Sequence, residues 1–200
     1  MSKYFLMSLL CIAFFSGCSL SQTYERPVDY HLNPEIKEFL VVKPNDTTLK
    51  IKPFSGGSLA ESRAIFYSKE GALLPYKYAR WSETPAKRLE QIFTESLSQQ
   101  NIFKGVVDSN SYALGDIFLE SRILHFEQVY KKKSSSSYVY IQLRVNLVKR
   151  DEALLLGSEI FDSKVLVSGL DTKENIEAFD KAVEKILKKI SEWIHEQTKY

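Results

Sequence analysis

Apolar residues recur at every second position through much of the second half of the chain, and at every third or fourth in two other stretches. Those two rhythms lay out the fold. Val139, Ile141, Leu143, Val145 and Leu147 alternate with Tyr138, Tyr140, Gln142, Arg144 and Asn146, which predicts a strand over residues 138–149 with one core face and one partly wet face. A strand over 116–130 precedes it, joined through the polar run Lys131-Lys132-Lys133-Ser134-Ser135-Ser136-Ser137 into a long antiparallel hairpin. A third strand, over 153–167, returns after a turn at Arg150-Asp151-Glu152. Upstream, Leu49 and Ile51 face one way and Lys50 and Lys52 the other. Residues 64–67 and 73–78 then read as a hairpin around Lys69-Glu70-Gly71, and Pro75 makes the second arm an edge strand or the site of a bulge. Residues 103–107 read as a short strand, and 38–43 have the character of an edge strand.

The helical rhythm appears twice. Thr84 is placed to cap, Pro85 takes the first helical position, and Ala86, Leu89, Ile92, Phe93 and Leu97 share a face, which predicts a helix over 85–99. Asp171 and Glu174 have capping-box spacing ahead of the stripe Ile176, Phe179, Val183, Ile186, Leu187, Ile190 and Trp193, which predicts an amphipathic helix over 173–197. Such a stripe belongs against a sheet; a helix lying on lipid would need its apolar face left uncovered. The predicted fold class is α/β (α+β): a mainly antiparallel sheet with two principal helices packed on one face and a long β-hairpin in the second half.

The N-terminus carries an address. Lys3 is followed by an apolar run from Tyr4 to Phe15, then Ser16, Gly17 and Cys18. A run of about 12 residues is short of the roughly 20 that a spanning helix needs, and small residues follow it, as in a secretory signal. The stretch Phe14-Phe15-Ser16-Gly17-Cys18-Ser19 resembles the bacterial lipobox, with Phe15 where that motif prefers Leu. The resemblance implies cleavage between Gly17 and Cys18, an S-diacylglycerol group and an N-acyl group on Cys18, and a lasting membrane anchor, because two or more acyl chains hold where one does not. Ser19 in place of Asp implies the outer membrane, periplasmic face. The alternative is a secreted protein with Cys18 as a free thiol. The expected organisation is a signal peptide over 1–17, an acylated terminus and tether over 18–45, broken by Pro27, Pro34 and Pro44, and a folded domain over 46–200.

Charge and cysteine content narrow the chemistry. The net charge of +2 gives no field suited to nucleic acid. Of the two cysteines, Cys11 leaves with the signal and Cys18 is acylated, so packing alone must hold the domain. His31, His125 and His195 are scattered without metal-ligand spacing, and no nucleophile elbow or phosphate loop is present. The expectation is a non-enzymatic protein with no cofactor beyond the lipid on Cys18.

Leu49-Lys50-Ile51-Lys52-Pro53-Phe54, then Ile65-Phe66-Tyr67, then Tyr76-Lys77-Tyr78-Ala79-Arg80-Trp81-Ser82-Glu83-Thr84-Pro85 entering a helix resemble the ABC-type transport auxiliary lipoprotein family, whose members include PqiC-like lipoproteins of MCE-type lipid transport systems. The resemblance spans most of residues 30–195. It implies an auxiliary subunit that docks an ABC/MCE-type phospholipid transport complex at the inner leaflet of the outer membrane. The partners so implied are the transport proteins, with phospholipid binding by the domain left open and a ring oligomer compatible with a symmetric partner. The alternative is an assembly lipoprotein bridging the outer membrane to another envelope complex without handling lipid. The candidate interface residues are Trp81, Tyr138, Tyr140, Lys131, Lys132 and Lys133. Each has a plainer reading: Trp81 as core at a strand-to-helix corner, the tyrosines under a covered second sheet face, and the lysines as a solvated hairpin end rather than a contact to anionic headgroups.

Overall fold

Period-two alternation becomes strands, and the two apolar stripes become helices, in the computed structural model, which describes residues 26–35, 44–131, 136–167 and 171–199. In chain order the elements are β1 (Val28–Tyr30), β2 (Asn45–Ile51), α1 (Ser58–Glu61), β3 (Ala64–Lys69), β4 (Ala72–Trp81), α2 (Pro85–Gln99), β5 (Phe103–Val107), β6 (Ile117–Tyr130), β7 (Ser137–Lys149), β8 (Leu154–Val167) and α3 (Thr172–Gln197). The predicted edge strand over 38–43, Cys18, and the tip residues Lys132 and Lys133 lie outside the described residues.

One sheet holds all the strands. β6 pairs antiparallel with β7 along its whole length, from Ile117↔Lys149 to Tyr130↔Ser137, and β7 pairs antiparallel with β8. The other edge of β6 is divided. β2 runs parallel to its first residues, with Leu49 opposite Ile117, and β3 runs parallel to its last, with Phe66 opposite Glu127. Between them a single bridge joins Ser55 to Arg122. β5 flanks β2 in parallel, β4 flanks β3 antiparallel, and β1 flanks β4 in parallel. The long ladders are antiparallel and the parallel ones short, so the predicted class holds.

Pro75 does what a proline in a sheet must. The β3–β4 register shifts between Ala64 and Phe66, placing extra residues in β4 just after Pro75, so the second arm bulges. Glu70 and Gly71 at the hairpin turn both have positive φ, 53° and 86°, the conformation whose twist suits a two-residue hairpin.

Both long helices cover one face of the sheet. Leu89, Ile92, Phe93 and Leu97 of α2, with Phe179, Val183, Ile186 and Ile190 of α3, join Val139, Ile141, Leu143, Val145 and Leu147 in a single core cluster. At about 1.5–3 kcal/mol per buried side chain, that contact outweighs any end effect of about 1 kcal/mol. The capping box forms at α3, with Asp171 and Glu174 in reciprocal bonds. At α2 Thr84 occupies the cap position, yet its hydroxyl makes no capping bond, and the helix starts on Pro85 alone.

Residues 28–35, which fall within the span expected as a tether, are packed on the body. β1 pairs with Ala79, Arg80 and Trp81 of β4, and Leu32 is 3% exposed within the core. Residues 31–35 then form a strap bonded to both helices. Arg88 of α2 donates from Nε to the Leu32 carbonyl at 2.8 Å. On α3, Asp180 Oδ1 accepts from the Asn33 N–H at 2.7 Å and Glu184 Oε1 from the Glu35 N–H at 2.9 Å. The packed body therefore includes residues 28–35.

Burial, with Glu184 and Glu177 nearby, raises the Asp180 carboxyl from 3.8 to about 6, against the Asn33 N–H and Arg88, which pull it down. A folded value above the unfolded one means that protonation favours the fold. The contribution is fully present below the unfolded value and is lost as pH rises through about 6. Asp180→Asn keeps an oxygen acceptor and carries no charge. The expected result is a variant that melts higher than wild type at neutral pH, with a difference that shrinks on acidification from 7 to 4. Thermal melts across that range check it.

Candidate partner-binding face

The face of β6, β7 and β8 turned away from the helices is uncovered among the described residues, and its chemistry follows from one bulge. Between Ile123 and His125 the β6–β7 register slips, leaving Leu124 as the extra residue. The slip resets the alternation: Ile123 and Phe126 both enter the core, while His125 and Glu127 come to the outer face beside Gln142 and Tyr140.

There a cluster assembles from three strands. Glu127 is 5% exposed, and its Oε2 accepts from the Phe126 N–H at 2.7 Å while Oε1 lies 2.8 Å from His125 Nδ1. The His125 ring packs on Tyr140 with centroids 4.7 Å apart, and the Tyr140 hydroxyl accepts from Gln142 Nε2 at 2.9 Å. On β8, Lys164 places its ammonium 4.8 Å from the Tyr140 centroid and 6.0 Å from that of Tyr138, within reach of cation–π attraction. Burial, then the carboxylates of Asp162 and Glu127, holds the Tyr140 phenol above its ordinary range. It is therefore a neutral hydrogen-bonding group throughout the physiological range. Next to Tyr138 across the strand stands Leu166, 66% exposed, and further along β8 is Ile160, 45% exposed. Exposed apolar side chains interleaved with aromatics and a cation make a contact surface of the kind that binds protein.

The predicted candidates separate. Tyr138 and Tyr140 lie together on this face, and Lys131 is exposed at the adjoining end of β6. Trp81 does not join them: it is 3% exposed and packs edge-on against Phe126 and Phe179, at 5.9 and 5.1 Å. Of its two readings, the buried one is what the structure contains, because β4 ends where the sheet meets α3. The sequence sets His125 aside as a metal ligand and gives no sign that it joins Lys164 and Glu127. Their clustering depends on the slip at Leu124, for which the run Ile117, Leu119, Ser121, Ile123, then Phe126, is the visible sign.

A family model described as ABC-type transport auxiliary lipoprotein component matches residues 30–191. The chain belongs to that family. No curated protein matches it in sequence. Among solved structures, protein XCC0632 from Xanthomonas campestris is similar with a TM-score of 0.77 at 18% identity, over 85% of this chain and 95% of that one. The hypothetical protein CT253 from Chlamydia trachomatis is similar with a TM-score of 0.53 at 10% identity, over 77% and 98%. At such identities the likeness is one of fold. The matched span begins at Tyr30, the last residue of β1, and ends in α3, so it includes the strap over residues 31–35.

Proposed function

We propose that this lipoprotein is a non-enzymatic auxiliary component of an ABC/MCE-type intermembrane phospholipid transport system. Acyl chains on Cys18 hold it at the periplasmic face of the outer membrane, and the outer face of β6–β8 docks a protein subunit of the transport complex. The family match over residues 30–191 carries this reading. Its support in the molecule is division of labour: α2 and α3 pack on one sheet face, while the other presents Tyr138, Tyr140, Lys164 and Leu166 with no helix over them among the described residues.

The test is in cells. A photo-crosslinking residue at position 138 or 140 should capture a transport subunit, and the same residue at position 87 on α2 should not. Cys18→Ala, released into the periplasm at normal abundance, should lose lipid transport. Full transport by Cys18→Ala, or equal capture from position 87, would sink the docking reading.

A further inference from the structure

Arg122 of β6 and Arg144 of β7 are direct cross-strand partners, and both are exposed on the outer face. Like charges set opposite each other in an antiparallel ladder repel and weaken the sheet. Among the described residues neither guanidinium has an ion pair or hydrogen bond to relieve that repulsion. Lys52, just beyond β2, adds a third cation to the same groove of about 410 Å³, against the single carboxylate of Glu120. The Ser55↔Arg122 bridge fixes the wall of this groove, because it ties the chain after Lys52 to β6.

We propose that this groove binds a phosphate group, held between the two guanidinium forks with Lys52 as the third donor. Guanidinium matches paired phosphate oxygens in a way an ammonium does not. Donors arriving from three separate segments suit a tetrahedral oxyanion better than a planar carboxylate, which presents its two oxygens in one plane. The phosphate is that of an anionic phospholipid headgroup or free phosphate in the periplasm. The inference deepens the transport reading by naming the ligand chemistry, but it rests on the groove and not on docking, so the two fail separately.

The full chain in nonionic detergent is titrated with inorganic phosphate and, separately, with short-chain phosphatidylglycerol at fixed ionic strength. Wild type should bind one or both and melt higher when it does. R122Q/R144Q should lose at least about tenfold in affinity, and R122K/R144K should keep the charge yet recover only part of the binding. K87Q/K104Q, which removes two cations on α2 and β5, should bind as wild type. Without ligand, R122Q/R144Q should melt no lower than wild type, since a repulsion has been removed. Binding of phosphatidylglycerol alone assigns the headgroup, and of inorganic phosphate alone the free ion. Three outcomes overturn the proposal: no binding of either probe by wild type, equal loss in K87Q/K104Q, or displacement of phosphate by a glutamate-rich peptide at lower concentration, which would make the partner an acidic protein.

Discussion

Trp81→Ala is expected to lower the unfolding free energy by about 3–5 kcal/mol, the range for removing a large aromatic from a packed core. The indole is 3% exposed and is wedged between Phe126 of the sheet and Phe179 of α3. Those two rings also touch each other, with centroids 5.1 Å apart, so removing Trp81 opens a hole that neither can fill without leaving the other. The Trp81 backbone is fixed as well: its N–H donates to the Arg63 carbonyl at 2.7 Å, and its own carbonyl accepts from Arg63 Nε at 2.8 Å. Collapse around the cavity is therefore limited. Urea denaturation measures the loss. Trp81→Phe should cost markedly less, and a cost below about 1 kcal/mol for the alanine variant would contradict this packing.

Gly56→Ala is expected to cost about 3 kcal/mol, at the upper end of overpacking effects. A Cβ at residue 56 would lie 2.6 Å from the Ile123 carbonyl oxygen and 2.9 Å from the Ile123 Cβ, and φ is +152°. The obstacle includes backbone of the central strand, which cannot step aside as a flexible side chain would. Gly57 provides the comparison. Its φ is +62° and its ψ −142°, with nothing within 4 Å of an added Cβ, so Gly57→Ala carries only backbone strain, about 1–3 kcal/mol. Parallel denaturation of the two variants separates steric clash from backbone strain; equal losses would mean that the contact with Ile123 is not the cause.

The elements that could be read directly from the chain are those whose signal is local. The helix over 85–99 announces itself through Pro85 and the Leu89, Ile92, Phe93, Leu97 stripe, and the β6–β7–β8 meander through its alternation. Gly57 caps α1, and the effect of Gly56-Gly57 is invisible locally: the pair lies between β2 and β3, which share one edge of β6. Parallel pairing between strands distant in sequence leaves no period to detect. β1 is too short and too polar to stand out, and its place depends on β4. The outward tyrosines at 138 and 140 were legible because alternation places them. The opposition of Arg122 and Arg144 was not, because it is a matter of register across two strands, and no feature of either strand alone contains it.

The strap has a mechanical consequence. Tension arriving from the N-terminal side reaches the body at β1, whose Val28, Asp29 and Tyr30 are paired to Ala79, Arg80 and Trp81 of β4. Asp29 anchors that ladder through Arg63 and Arg80, and residues 32–35 pass the remaining load to both helices through Arg88, Asp180 and Glu184. A pull from this end is thus shared by the sheet and both helices at once, so the body resists as a unit.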